Sequence, residues 1–125
     1  MNKIGSWWTI KEIQLHNEVL LYSCLANRRQ NFCRNVGGKL FVTNFRILFL
    51  PHYFDFFLLG KKWVVDIKKV NLIKVEKKRF KLFNVSLRDR LLIECSEICK
   101  EYFVVNNLKH IIFSLNQILL KKKEQ

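Results

Sequence analysis

The sequence predicts a mainly β domain, a barrel of about seven antiparallel strands capped by a C-terminal amphipathic helix. Between residues 18 and 105, short runs of aliphatic and aromatic residues alternate with turn signals. Many short strands at close spacing are typical of a barrel or a sandwich. Over 107–121 the period changes, and apolar residues recur every three or four positions, which predicts one amphipathic helix. We expect that helix to pack against the barrel through Leu108, Ile111, Ile112, Leu115 and Leu119.

The chain divides into a leader (residues 1–15), the domain proper (16–121) and a short basic tail (122–125). In the leader, Trp7, Ile10 and Ile13 lie at helical spacing after Ser6, a good N-cap residue. We therefore predict a short helix in the leader, with Trp8 facing away from its apolar side.

The first strand is predicted over 18–26, which is rich in aliphatic residues. The polar and basic stretch 27–38 ends in two glycines and predicts a loop or a frayed hairpin end. A hairpin follows over 39–50, with its turn at Thr43-Asn44, because Asn tolerates left-handed backbone. Pro51 ends the hairpin, since proline cannot donate to a strand ladder. We expect most inward-facing hairpin residues to be Leu40, Val42, Ile47 and Phe49.

The apolar run Phe54–Leu59 allows three interpretations: a core strand, a contact between subunits, or a loop that dips into lipid. Apolar runs of this kind lie more often in a core or in a contact between subunits than in lipid. Beyond it, further strands are predicted at 63–67, 70–77, 80–85, 91–95 and 102–105.

The hairpin carries a resemblance to a known family. Gly38-Lys39-Leu40-Phe41-Val42-Thr43-Asn44-Phe45-Arg46-Ile47-Leu48-Phe49 resembles the signature hairpin of GRAM domains, which belong to the pleckstrin-homology (PH) superfold. Glu18-Val19-Leu20-Leu21 before it, and Asp66-Ile67-Lys68-Lys69-Val70 after it, are similar to the family's neighbouring elements. The resemblance spans about residues 15–120. It implies a PH-like barrel without catalytic chemistry, which docks on phosphoinositide or other acidic lipid, or on a protein, at the cytoplasmic membrane face.

Basic residues dominate the charge. The sequence holds 23 Lys and Arg against 10 Asp and Glu, a formal charge of +13, and a positive surface of this size attracts anions. We expect basic residues from at least two sequence clusters to converge on one face. The predicted lipid- or anion-binding residues are Arg28, Arg29, Arg34, Lys61, Lys62, Lys77 and Lys78. The predicted membrane or partner contacts are Phe54, Phe56, Phe57, Trp7 and Trp8.

Two other functions stay open. A PH-like barrel exposes edges and grooves that bind proteins, so the chain is also interpreted as an interaction or self-assembly module, including a homo-oligomer. Nucleic-acid binding would suit the charge, but the sequence has no helix-turn-helix, zinc-finger or RNA-binding aromatic motif.

Catalysis, metals and cofactors are not expected. The sequence has no nucleophile signature and no glycine-rich phosphate loop. Cys24, Cys33, Cys95 and Cys99 lack the paired short spacings of zinc sites, and we interpret them as small core residues. No signal peptide or apolar run of membrane-spanning length is recognised, which predicts a cytoplasmic protein with reduced thiols, peripheral at the inner membrane face.

Overall fold

The computed structural model describes residues 2–31, 34–76, 79–81, 84–86, 89–96 and 99–123. Lys77 and Lys78, which the sequence analysis selected as anion-binding residues, and Cys33 lie outside these described residues. The described strands are β1 (Lys3–Ile4), β2 (Glu12–Ile13), β3 (Leu20–Asn31), β4 (Arg34–Thr43), β5 (Arg46–Pro51), β6 (Trp63–Asp66), β7 (Val70–Glu76), β8 (Arg79–Lys81), β9 (Asn84–Ser86), β10 (Arg90–Cys95) and β11 (Cys99–Val105). The described helices are α1 (Tyr53–Phe57) and α2 (Leu108–Lys123), and a 3-10 turn (Ile67–Lys69) links β6 to β7.

Seven of these strands form one antiparallel sheet in the order β6-β5-β4-β3-β11-β10-β7. The two ends of the sheet share one core, in which Ile73 of β7 is buried and against which Trp63 of β6 packs. The Trp63 ring on β6 lies 5.6 Å from the Phe103 ring on β11, and the Phe49 ring on β5 lies 5.7 Å from the same ring. Because strands far apart in the sheet order meet in this way, the sheet curls around its apolar face. The predicted fold class is confirmed.

The predicted hairpin is confirmed. β4 ends at Thr43, β5 begins at Arg46, and Val42 pairs with Ile47. The hydroxyl of Thr43 accepts hydrogen bonds from the backbone N–H groups of Phe45 (3.1 Å) and Arg46 (3.0 Å), which closes the turn. The four side chains predicted to face inward all lie in the main core: Leu40, Val42, Ile47 and Phe49.

The C-terminal helix packs against this core as predicted. Ile111, Leu115 and Leu119 are buried, while Leu108 and Ile112 are half-buried against the same cluster. The helix contacts β7, β10 and the 3-10 turn.

The short helix predicted in the leader is wrong. β1 and β2 pair in antiparallel fashion, with Lys3 opposite Ile13. The buried Ile4 packs on Phe41, Leu48 and Leu50, which point to the face of the sheet opposite the main core. Contacts with a distant apolar surface thus override a weak local helical pattern.

Of the two interpretations of 27–38, the loop is wrong in the described part, because β3 and β4 pair there as the arms of a hairpin, with Ala26 opposite Gly38 and Asn27 opposite Gly37. Gly38 allows β4 and β5 to approach closely, because a Cβ atom at this position would lie 2.3 Å from the carbonyl oxygen of Leu50. The single strand predicted at 80–85 is instead a pair, with Phe80 opposite Val85 across β8 and β9.

Candidate functional site

The segment between β5 and β6 exposes a set of large apolar side chains. We call residues 53–59 the apolar loop. Phe54 is 66% exposed, and Phe57 and Leu59 are each 77% exposed. No residue of α1, which forms most of this loop, is buried. The interpretation of this run as a core strand is therefore wrong, and a contact with lipid or another protein remains.

The N-terminal side of the apolar loop is fixed by His52. Its Nδ1 atom accepts a hydrogen bond from the N–H of Phe54 (2.9 Å), so the imidazole ring caps α1. The backbone N–H of His52 donates to the carbonyl of Gly37 (2.8 Å), and its ring centroid lies 5.6 Å from that of Trp8. The N–H of Tyr53 donates to the carbonyl of Trp8 (3.1 Å). The leader and β4 thus anchor the start of the loop.

The hairpin formed by β3 and β4 holds the C-terminal side. The Arg34 guanidinium donates to the carbonyls of Leu58 and Asp55, the latter at 3.1 Å. The amide of Gln30 donates to the carbonyl of Leu59 (3.2 Å) and accepts from the N–H of Lys61 (2.6 Å). These bonds satisfy carbonyls that end a short helix, so the exposed apolar side chains sit on an ordered backbone.

Cationic side chains surround the apolar loop. Lys61 and Lys62 follow it and are exposed. Lys62 pairs with Glu12 at 2.5 Å, and this hydrogen bond is the main cause that lowers the pKa of Glu12. The ammonium group of Lys11 donates to the hydroxyl of Tyr53 (3.0 Å). The loop therefore combines apolar surface with neighbouring positive charge.

The other residues that the sequence predicted as binding residues, Arg28, Arg29, Trp7 and Trp8, lie in different surroundings. Arg28 is buried, forms two hydrogen bonds of 3.0 Å with Glu101, and donates to the carbonyl of Lys61 (3.3 Å). Its charge is thus compensated inside the fold, beneath the loop end. Arg29 lines a different cavity, beside Tyr102 and Lys100. Trp7 is 86% exposed, whereas Trp8 is half-buried against His52.

A groove of about 400 Å³ lies beside the apolar loop. Its lining includes Trp8, Asn27, Gly37, His52, Asp55 and Val104. The Oδ2 atom of Asp55 accepts a hydrogen bond from the N–H of Gly37 (3.0 Å). Sequence reasoning did not select Asn27, Gly37, His52 or Asp55. The sequence signal for these residues was the pair of glycines that ends the polar stretch 27–38, but we interpreted that stretch as a loop or a frayed hairpin end.

The cysteines within the described residues belong to the core region. Cys95 is buried and stands opposite Cys99 in the β10–β11 pair, while Cys24 packs against the same core. Burial raises the pKa of the Cys24 thiol to about 11, which keeps it protonated at neutral pH.

Within the described ranges, no group of three His, Cys, Asp or Glu side chains could hold a metal ion. The same ranges contain no helix of the length and apolarity required to cross a membrane.

Comparisons with known proteins support the fold. No protein-family model matches the chain, and no curated protein matches its sequence. Among solved structures, the C-terminal domain of an unknown protein from Leishmania infantum is similar, with a TM-score of 0.64 and 14% identity, covering 84% of this chain and 87% of that one. The Vps36 N-terminal PH domain gives a TM-score of 0.62 and 10% identity, covering 90% and 87%.

The hSac2 domain from human phosphoinositide phosphatase Sac2 is also similar, with a TM-score of 0.56 and 10% identity, covering 86% of this chain and 71% of that one. At such low identities the likeness concerns the fold alone. The chain has a PH-like fold.

Proposed function

We propose that this chain is a non-catalytic binding module of GRAM type that docks on anionic phospholipid at the cytoplasmic face of a membrane. The observation that carries the proposal is the apolar loop, whose exposed Phe54, Phe57 and Leu59 stand next to Lys61 and Lys62. The hairpin residues that resemble the GRAM signature support the finer family assignment.

The apolar loop combines exposed side chains with an ordered backbone, and both properties favour insertion into a bilayer. Large apolar side chains grouped on a monomer surface mark interaction sites. Here the backbone beneath them is already fixed by His52, Arg34 and Gln30. A preorganised loop loses little conformational entropy on binding. Burying one Phe side chain in hydrocarbon stabilises the bound state by about 1.5–3 kcal/mol.

Charge selects an anionic surface. Each Lys near an acidic bilayer contributes about 1 kcal/mol, and the effect decreases with salt. Lys61 emerges directly after the apolar loop, so insertion of the loop would bring its ammonium group to headgroup level, whereas the ammonium group of Lys62 is already paired with Glu12. Apolar insertion and electrostatic attraction are therefore expected to act together.

Vesicle co-sedimentation tests the proposal. We expect the wild-type protein to bind phosphatidylglycerol vesicles at low salt and to bind phosphatidylcholine vesicles much less. The double variant Phe54→Ser/Phe57→Ser should bind more weakly by roughly 100-fold or more, because two inserted rings are lost. Lys61→Glu/Lys62→Glu should weaken binding in the way that added salt does.

Matched controls lie on α2. Phe113 is 63% exposed and Lys109 and Lys121 are exposed. Phe113→Ser therefore repeats the loop's Phe→Ser substitution on α2, and Lys109→Glu/Lys121→Glu repeats the Lys→Glu substitutions there, away from the apolar loop. If these controls weaken binding as much as the loop variants do, the loop is not the docking site.

A second candidate function is a protein-interaction or self-assembly module. It is favoured by another exposed apolar group at the start of β3, where Val19, Leu20 and Leu21 are 55%, 47% and 47% exposed. A wild-type protein that ignores anionic vesicles at low salt would contradict the lipid proposal and favour this function.

A further inference from the structure

We propose that Cys95 and Cys99 form a redox modification site, at which a small hydroperoxide oxidises the two thiols to a disulfide between β10 and β11. The site lies outside the apolar loop, so it does not depend on membrane docking. The spacing of these cysteines in the sequence fits no zinc site, but the pairing of their strands gives them a different chemistry.

The strand register places the two cysteines at a distance that a disulfide can bridge. Cys95 stands directly opposite Cys99 in the antiparallel pair of β10 and β11. Directly opposed residues in such a pair have Cα atoms about 4.5–5.5 Å apart, and a disulfide requires about 4.4–6.8 Å. The bond can therefore form without movement of the backbone.

The two thiols lie on the same face of the sheet and contact each other. Cys95 is buried in the main core, and Cys99 packs against that core from a half-buried position. Burial is the main cause that raises the pKa of Cys95 to about 12, and a hydrogen bond with the Cys99 side chain raises it further. This hydrogen bond shows that the sulfur atoms are already neighbours in the reduced protein.

A cavity beside the pair gives a small oxidant access to it. The cavity has a volume of about 240 Å³, and its lining includes both cysteines, Trp63, Asp66 and Lys69. A water molecule takes up about 30 Å³, so the cavity has room for hydrogen peroxide or a small organic hydroperoxide. Cys99 is the more exposed of the two cysteines and is therefore the one that the oxidant meets first.

The oxidation proceeds in two balanced steps. In the first, the Cys99 thiolate attacks one oxygen of the peroxide, the O–O bond breaks, and the other oxygen leaves as hydroxide, which takes up the proton of the Cys99 thiol to give water. In the second, the Cys95 sulfur attacks the Cys99 sulfenic acid, the S–O bond breaks, and the leaving hydroxide takes the Cys95 proton to give a second water. Two electrons thus pass from the two thiols to the peroxide.

Contact across the hairpin makes the second step possible for a buried thiol. A raised pKa slows the attack of Cys95 on molecules in solution, but its target here is held next to it, which turns the step into an intramolecular one. Cys24 provides the contrast within the same core. Burial raises its pKa to about 11, and the residue opposite it on β4 is Leu40. We therefore expect Cys24 to stay a thiol.

Peptide mapping by mass spectrometry tests the site. Trypsin cleaves after Arg90 and Lys100, so both cysteines fall in the single peptide 91–100. The native protein is treated with hydrogen peroxide, and the remaining thiols are then alkylated in denaturant. We expect this peptide to take up no alkyl group and to be lighter than its reduced form by two hydrogen atoms, whereas the peptide with Cys24 should be alkylated. Cleavage after Glu97 should leave the two halves joined until dithiothreitol is added.

Single variants identify the role of each thiol. Cys95→Ser should stop at the sulfenic acid of Cys99, which dimedone captures, and Cys99→Ser should leave Cys95 open to alkylation. Treatment of the wild-type protein in urea should give several cysteine pairings, because the strand register is then lost.

The wild-type protein alone decides the outcome if a variant fails to fold. A native peptide 91–100 that takes up two alkyl groups after peroxide treatment would overturn the site. Oxidation of Cys99 to sulfinic or sulfonic acid while Cys95 stays a thiol would overturn it as well, because it would show that the two sulfur atoms do not meet.

Discussion

Glu18 shows how a single charged residue can fix a turn. Its carboxylate is buried and accepts hydrogen bonds from the Arg46 guanidinium (2.9 and 3.0 Å), the Thr43 hydroxyl (2.7 Å) and the N–H of Leu15 (2.9 Å). It thereby links the end of the leader to the β4–β5 turn. Burial raises the pKa of Glu18, but these hydrogen bonds and the Arg46 charge outweigh burial and hold the pKa below its ordinary value of 4.5.

We expect Glu18→Gln to lower the free energy of unfolding at pH 7 by about 3 kcal/mol, because Arg46 loses its ionic partner. The pKa is depressed in the folded state, so the contribution of Glu18 is present above pH 4.5 and is lost as the pH falls through the lower folded-state value. Urea unfolding between pH 7 and pH 3 should show a flatter decline for Glu18→Gln than for the wild type. Glu94→Gln is the control, since its contact with Lys100 is long, at 3.8 Å. Equal losses in both variants would contradict this account.

At the residue scale the sequence predicted the β4–β5 turn but not the buried ion pairs Glu18–Arg46 and Arg28–Glu101. Asn44 and Thr43 have turn chemistry that acts locally, so their positions could be read directly. Arg28 looked like any other surface cation, and its partner Glu101 lies 73 positions away. Nothing in the local sequence distinguishes a buried paired arginine from a solvated one, so Arg28 was selected as a lipid ligand.

At the scale of elements, α2 combines a buried and an exposed apolar position two residues apart. Leu115 is 2% exposed and packs in the main core, whereas Phe113 points to solvent. The helical period identified the buried face correctly, because side-chain direction in a helix follows from geometry alone.

We expect Leu115→Ala to lower the free energy of unfolding by about 3 kcal/mol, through lost burial and the cavity it leaves. Phe113→Ala should change it by less than about 0.5 kcal/mol, because the ring is largely solvated. Thermal or urea unfolding followed by circular dichroism measures both. A larger loss from Phe113→Ala than from Leu115→Ala would mean that α2 docks through the other face.

The helix predicted in the leader is wrong, and so is one of the three interpretations of the apolar loop, the core strand. β1 and β2 are two residues long, and strands this short carry no measurable period. The apolar loop has the composition of a core strand, yet its bonds from His52 and Arg34 hold it as an exposed turn of helix. In both cases distant partners, rather than local propensity, determine the structure.

At the scale of the whole molecule, the sheet buries apolar side chains on both faces. The main core lies on one face, and Phe41, Leu48 and Leu50 lie beneath Ile4 and Ile10 of the leader on the other. The leader therefore covers surface that an antiparallel sheet would otherwise expose to water.

We expect deletion of residues 2–14 to expose these three side chains and to make the protein bind a hydrophobic dye and aggregate. Dye fluorescence and light scattering at rising protein concentration measure the effect. Trp7→Ser is the control, since Trp7 is 86% exposed and covers little. A truncated protein that stays monomeric and dye-free would show that the leader is dispensable for covering the sheet.

The covering hairpin precedes in the sequence the strands that it covers, and this order has a consequence during translation. The ribosome releases Ile4 and Ile10 well before β4 and β5, so the cover is already outside the exit tunnel when Phe41, Leu48 and Leu50 emerge. A cover encoded after β11 would leave this apolar face open until those later residues were made, at a stage when partly folded chains are prone to aggregate. We therefore expect this order of elements to let the nascent sheet bury its second apolar face as soon as β4 and β5 have emerged.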